Sequence, residues 1–193
     1  MNRKTLTTTC LMILTGVLMV PSLSAEDAPK VTEVKLKDLT LKVPETWKSV
    51  PSASSMRLAT YSVPAAEGDK EEGELSVFNF GGGGGDVASN LSRWIGQFGG
   101  EGRSSKVTKG KAGANEYYLA DISGTYNKPV GPPILRKTES APGYRMLAAI
   151  VVLEEKGVYY LKLTGPDATI KAQADAFRAS FGGDAKSETD YEL

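Results

Sequence analysis

Apolar and polar positions along the chain change period several times, and each change marks an element. Val34 and Leu36, then Leu39, Leu41 and Val43, alternate with polar residues, and the parity switches at Lys37-Asp38. A period of two is that of a half-buried strand, so the segment predicts two short strands joined by a tight turn and ended by Pro44. Arg57 to Val63 alternates again, with Ala59, Tyr61 and Val63 on one face. After the acidic stretch from Glu67 to Glu72, Leu75, Val77, Phe78 and Phe80 complete a β-meander. The period then lengthens: Val87, Leu91, Trp94, Ile95 and Phe98 fall on one stripe of an α-helix, with Asp86 as its N-cap.

Lys106 to Tyr126 reads as a hairpin turning at Ala112 to Asn115, and Tyr144 to Thr164 as a second, turning at Glu154 to Gly157. The run from Arg145 to Leu153 is near-continuously apolar without alternation, which predicts a central strand covered on both faces. A last helix opens at Pro166-Asp167, with Asp167 as cap, carries Ile170, Ala174, Phe177 and Phe181 at helical spacing, and closes on Gly182. Antiparallel hairpins with two striped helices predict an α+β fold, an antiparallel β-sheet flanked by two main α-helices.

The ends of the chain differ from its middle. Arg3 and Lys4 precede the apolar run Leu11 to Val20, followed by Pro21 and the small-residue exit Ser22-Leu23-Ser24-Ala25. About ten apolar residues are too few to span a bilayer, so residues 1–25 predict a signal peptide cleaved near Ala25 and a secreted or periplasmic location. Residues 26–30 read as a solvated leader, 31–182 as a single domain and 183–193 as a disordered acidic tail.

Composition narrows the chemistry. The chain has 193 residues, 23 basic and 23 acidic, with no His and one Cys. Loss of residues 1–25 removes Arg3, Lys4 and Cys10, leaving 21 basic against 23 acidic residues and no thiol. A near-neutral chain has no long-range pull on a phosphate backbone, so nucleic acid is not an expected partner. Without imidazole or thiol there is no Ser-His-Asp triad, no Cys-His pair and none of the usual His or Cys metal sites. No catalytic residue, metal or cofactor is expected, and no membrane-spanning segment in the mature chain.

Three phrases carry a resemblance. Leu41-Lys42-Val43-Pro44-Glu45-Thr46-Trp47, the run Tyr159 to Pro166 and the closing Phe177-Arg178-Ala179-Ser180-Phe181 resemble the PsbP-like fold family. The resemblance implies an α/β/α sandwich and a role as a binding or accessory module, here for a protein or cell-envelope component. It brings no catalytic residues. A carboxylate-based glycan hydrolase and a small-ligand carrier, with a pocket between sheet and first helix, are the alternatives.

Several candidate features compete with plainer readings. The segment Asn127 to Gly143, 17 residues with four prolines, reads as a long loop, and its Ile134, Leu135, Arg136 and Lys137, with Arg145 just beyond, are the expected interaction surface. Gly81, Gly82, Gly83, Gly84 and Gly85 precede the first helix as a phosphate loop would. They lack its Lys-Ser/Thr, and Asp86 places a negative charge there, so a tight or mobile connector is the plainer reading. The acidic residues Glu67, Asp69, Glu71, Glu72 and Glu74 lack the spacing of an EF-hand. Trp94 shares its stripe with Leu91 and Phe98, which predicts packing rather than ligand stacking. Replacing Trp94 by Ala should then cost ~3–5 kcal/mol in chemical denaturation, whereas a loss under ~1 kcal/mol would put the ring at the surface.

Overall fold

The computed structural model describes residues 30–52, 54–81, 83–131 and 133–193. The expected signal peptide, nearly all of the leader and Gly82 lie outside the described residues. The elements run β1 (Val31–Leu36), β2 (Leu39–Pro44), β3 (Lys48–Ser49), β4 (Arg57–Val63), β5 (Gly73–Asn79), α1 (Val87–Ile95), β6 (Ser104–Ala112), β7 (Asn115–Pro129), β8 (Thr138–Leu153), β9 (Gly157–Pro166), α2 (Asp167–Ala172), α3 (Ala174–Ser180) and β10 (Thr189–Asp190). Eight strands form one sheet in the order β10-β6-β7-β8-β9-β5-β4-β3, antiparallel at every pairing. The β1–β2 hairpin is a separate two-stranded ribbon. The fold is α+β, and the sheet dominates it.

The unbroken apolar run belongs to β8, which lies between β7 and β9. Side chains alternate across a strand, so Leu147, Ala149, Val151 and Leu153 enter one core and Met146, Ala148 and Ile150 the other. The first core is closed by β1–β2, α2 and α3, with Trp47, Tyr117, Phe177 and Phe181 as its large rings. The second is closed by α1 through Leu91 and Trp94, and by Phe98 just after the helix. Nine residues make a marginal helix in water. Burial of these three side chains, roughly 1.5–3 kcal/mol each, holds it on the sheet.

Three expectations are corrected. The last helix is broken at Gln173, which leaves the helical region (φ −96°, ψ 4°) while its Oε1 accepts a hydrogen bond from Trp47 Nε1 at 3.1 Å. Its cap is also not Asp167: the N-cap position is Pro166, and Asp69, from the β4–β5 loop, accepts from Thr169 N (2.9 Å) and Thr169 Oγ1 (2.6 Å). The picture of two main helices flanking the sheet therefore gives way to one nine-residue helix on one face and two shorter ones with a β-hairpin on the other.

The second correction concerns 127–143. Asn127, Lys128 and Pro129 pair with Ser140, Glu139 and Thr138, so the hairpin continues past a register shift between Gly124 and Tyr126, and only 130–137 remains as a tip. Proline is tolerated at a strand end, where its missing N–H breaks no ladder. The third concerns the tail. Residues 183–193 fold back on the sheet: β10 pairs with β6, Tyr191 N donates to Val107 O, and the Tyr191 ring packs edge-on against Tyr118. Its anchor is Glu188, which accepts from Arg178 Nε (2.6 Å), Tyr117 Oη (2.9 Å) and Thr108 Oγ1 (2.9 Å).

Both members of the Glu188–Arg178 pair are largely covered, with side chains 10% and 16% exposed. Burial pushes the Glu188 carboxyl up, but the bonds from Arg178 and Tyr117 outweigh it and hold it below its ordinary 4.5. Breaking such a pair strands a charge in a poorly solvated place. Glu188→Gln should cost ~3 kcal/mol near neutral pH in urea unfolding. Because a depressed carboxyl stabilises above its unfolded value and loses that stabilisation as pH falls through the folded one, the gap should close below about pH 4.5.

Candidate functional site

The two faces of the sheet are unequally covered. Nine helical residues rise about 14 Å, while eight strands at about 4.8 Å spacing make a sheet more than 30 Å wide. The α1 helix therefore covers only part of its face. Beyond it the floor is β9 between β5 and β8, where Lys162 stands opposite Ser76 on one side and Ala148 on the other. Small neighbours leave space around the lysine. The result is an open groove of ≈ 460 Å³ whose lining includes Arg57, Glu74, Phe78, Tyr126, Tyr144 and Lys162. A smaller hollow of ≈ 200 Å³ adjoins it, shares Phe78 and Lys162, and is completed by Phe80, Arg93, Trp94, Gln97 and Tyr160.

The segment after α1 places the groove's end wall. Asn127 N donates to Gln97 O and Gly99 N to Thr125 O, both at 2.8 Å, which straps the helix exit onto β7. Gln97 is thereby set over β9, and its Oε1 accepts from Lys162 Nζ at 2.7 Å. Lys162 Nζ also donates to Tyr126 Oη at 3.0 Å and lies 5.3 Å from the centre of that ring. Tyr126 stacks on Tyr144 (centroids 6.0 Å, planes 18° apart) and Phe78 on Phe80 (5.8 Å, 22°), giving flat aromatic walls.

Electrostatics single out Lys162. No carboxylate approaches it within ion-pair distance among the described residues. Burial, helped by the positive charges of Arg57 and Arg93 and only partly offset by Glu74, brings its ammonium down to about 8. Burial also pushes Tyr126 up to about 12, with Glu74 adding to the rise, so its hydroxyl stays protonated at neutral pH. The carboxylates near the groove already have partners: Glu74 pairs with Arg57 at 2.8 Å, Glu72 accepts from Ser62, and Glu71 from Tyr144 and Lys128.

The residues singled out in the sequence are not gathered in this groove. Ile134 and Leu135 sit on the hairpin tip, 87% and 54% exposed, with Arg136 and Lys137 exposed beside them. Arg145 does not join them: it lies on the other face of the sheet, its guanidinium bonded to Asp121 (2.6 Å) and Asp167 (2.8 Å), where it ties α2 to β7. Among the glycines, Gly81 and Gly85 take left-handed backbone (φ 60° and 76°), Gly83 N donates to Phe80 O, and a Cβ at Gly84 would collide with the Tyr160 ring. Buried Asn90 clasps the connector through Gly84 O (2.7 Å). The donor that an anion would use at the start of α1, Ser89 N, is already held by Asp86 at 2.8 Å. In the acidic stretch, Asp69 is likewise engaged in capping α2, and Glu71, Glu72 and Glu74 in their bonds to Tyr144, Ser62 and Arg57.

Lys162 was legible only as an anomaly. It is a charged residue at the centre of Val158-Tyr159-Tyr160-Leu161-Lys162-Leu163, a strand expected to lie beside the most buried one, and lysine is seldom buried without a partner.

No family model matches the chain, and no curated protein matches it. Among solved structures it is similar to the cyanobacterial PsbP of Synechocystis sp. PCC 6803, with a TM-score of 0.46 and 10% identity over 88% of this chain and 98% of that one. It is also similar to a Pseudomonas aeruginosa protein of unknown function proposed as a regulator, with a TM-score of 0.40 and 14% identity over 77% of this chain and 92% of that one. The first belongs to the fold family that the strand and helix phrases resemble. Neither likeness carries a residue role to this chain.

A half-buried lysine without a counter-ion costs stability, and replacing such a charge by an apolar group of similar length is often stabilising. Lys162→Met should raise stability by about 1 kcal/mol or more near pH 7. Because the folded ammonium titrates below the unfolded one, the wild type should gain relative to the variant as pH rises from about 8 to about 10.5. Thermal unfolding of both across that range checks the sign; a destabilised variant would make Lys162 a structural residue.

Proposed function

We propose that the protein is an exported binding module, without an enzymatic step of its own, that seats its ligand in the Lys162 groove. The single observation that carries this reading is the uncovered part of the α1 face, walled by aromatic rings and floored by a lysine with no carboxylate partner among the described residues. A groove of this volume falls in the range of small-molecule sites, which combine apolar walls with a few placed polar groups. Strongly perturbed titratable groups set in a cleft cluster at functional sites.

Export rests on the pattern of residues 1–25. No helix among the described residues is long and apolar enough to cross a membrane. The case against catalysis rests on residues 26–193 having neither His nor Cys, and on the groove's carboxylates being engaged by Arg57 and Ser62. A hydrolytic pair would need one acid and one base free to face a substrate.

One observation favours a second reading, an accessory module docking on a protein or envelope component through its hairpin tip. Ile134 is the most exposed of the large apolar side chains among the described residues, and two cations follow Leu135.

Amide correlation NMR spectra of the full chain titrated with a fragment library separate the two. Shifts should cluster at Ser76, Phe78, Tyr126, Tyr144 and Lys162. Clustering on 130–137 instead would overturn the groove as the site.

A further inference from the structure

Given that the groove is the binding site, the reading on which this inference rests, its charges decide what it takes. An ammonium has three N–H donors. Lys162 gives two to uncharged acceptors, Gln97 Oε1 and Tyr126 Oη, and no protein acceptor among the described residues takes the third. Around it stand Arg57, whose charge Glu74 balances, and Arg93, whose hydrogen-bond partner Asn90 is uncharged. The hollow at Lys162 is thus net positive while the mature chain as a whole is slightly acidic. The walls are flat and apolar, from the Tyr126–Tyr144 and Phe78–Phe80 stacks. Glu72 and Glu74 line the groove as well, and they would repel a second negative charge on a ligand.

We infer that the groove selects organic carboxylic acids with a flat apolar body: the ligand carboxylate accepts the free Lys162 N–H, and the ring system lies along Tyr126, Tyr144 and Phe78. A single negative charge is the match. A hydrogen bond between two charged groups in a poorly solvated place is roughly twice as strong as a neutral one, so charge, rather than contact area, decides between ligands of one shape. The anion in turn favours the charged lysine, so binding takes up protons where free Lys162 is partly neutral, near pH 8.

The test uses naphthoate and its uncharged isostere naphthamide, titrated into the full chain by calorimetry, with amide spectra to locate each. Naphthoate should bind about tenfold tighter near neutral pH. That preference should shrink as pH climbs past about 8, and the heat should depend on buffer ionisation as proton uptake requires. Lys162→Met, expected to fold at least as stably as the wild type, should bind both probes alike. Equal binding of the two probes in the groove of the wild type would overturn acid selection and leave the groove reading standing. Tighter binding of naphthyl phosphate than of naphthoate would overturn the single-charge match. Failure of any fragment to perturb the groove would overturn the site itself, and the inference with it.

Discussion

A nine-residue helix laid on a sheet eight strands wide cannot cover it, and the molecule's character follows from that mismatch. On the opposite face the same problem is solved by adding pieces: a β-hairpin, two short helices and the rings of Trp47, Phe177 and Phe181 together close the core. On the α1 face the additions among the described residues are slighter, Phe98 with its strap to β7 and Tyr191 of the tail against Tyr118, and around Lys162 the strands β5, β9 and β8 carry the small residues Ser76, Thr164 and Ala148. An open apolar sheet face is ordinarily a liability. Here it is narrowed to a groove whose floor is charged and whose walls are aromatic.

The covered cations of the fold illustrate opposite solutions to desolvation. Arg178 meets Glu188 and is satisfied within the chain, and Arg145 is held likewise between Asp121 and Asp167. Lys162 has only neutral dipoles and an aromatic ring. The same chain thus places carboxylates against its structural cations and, among the described residues, none within ion-pair distance of Lys162. A protein selected only for stability would have no reason to differ at that position, since Met or Leu there would extend the apolar strand without a charge to solvate.

Much of the fold was legible because local periodicity reports burial. The Asp86 cap, the Leu91–Trp94 stripe, the Lys37-Asp38 turn, the β4–β5 pairing and the central β8 all follow from spacing alone, and the structure bears each of them out; the expected meander does not extend to β1 and β2, which pair only with each other. What was not legible depends on residues far apart in sequence. Gln173 breaks the last helix while bonding Trp47, 126 positions away, and the cap of α2 comes from Asp69, 100 positions before Thr169. The tail looked too polar to fold, yet Glu188 is ordered by Arg178, Tyr117 and Thr108, none of which composition can connect to it. The prolines of 127–143 suggested a loop, whereas strand pairing continues through 127–129 and 138–141. A pocket between sheet and first helix stood among the alternatives, but Lys162 was missed for the same reason: it acquires meaning only when Gln97, Tyr126 and Ser76 are brought around it.

The return of β10 along β6 carries a final consequence. Thr189 and Asp190 pair with Lys109 and Thr108, and Tyr191 N adds one bond to Val107 O, so this short segment acts as a narrow gasket over the margin of β6. Unpaired margins recruit strands from other molecules. For this fold, displacement of the β10 return and strand-mediated self-association are therefore linked hazards, since lifting the segment off β6 would open that margin to other strands.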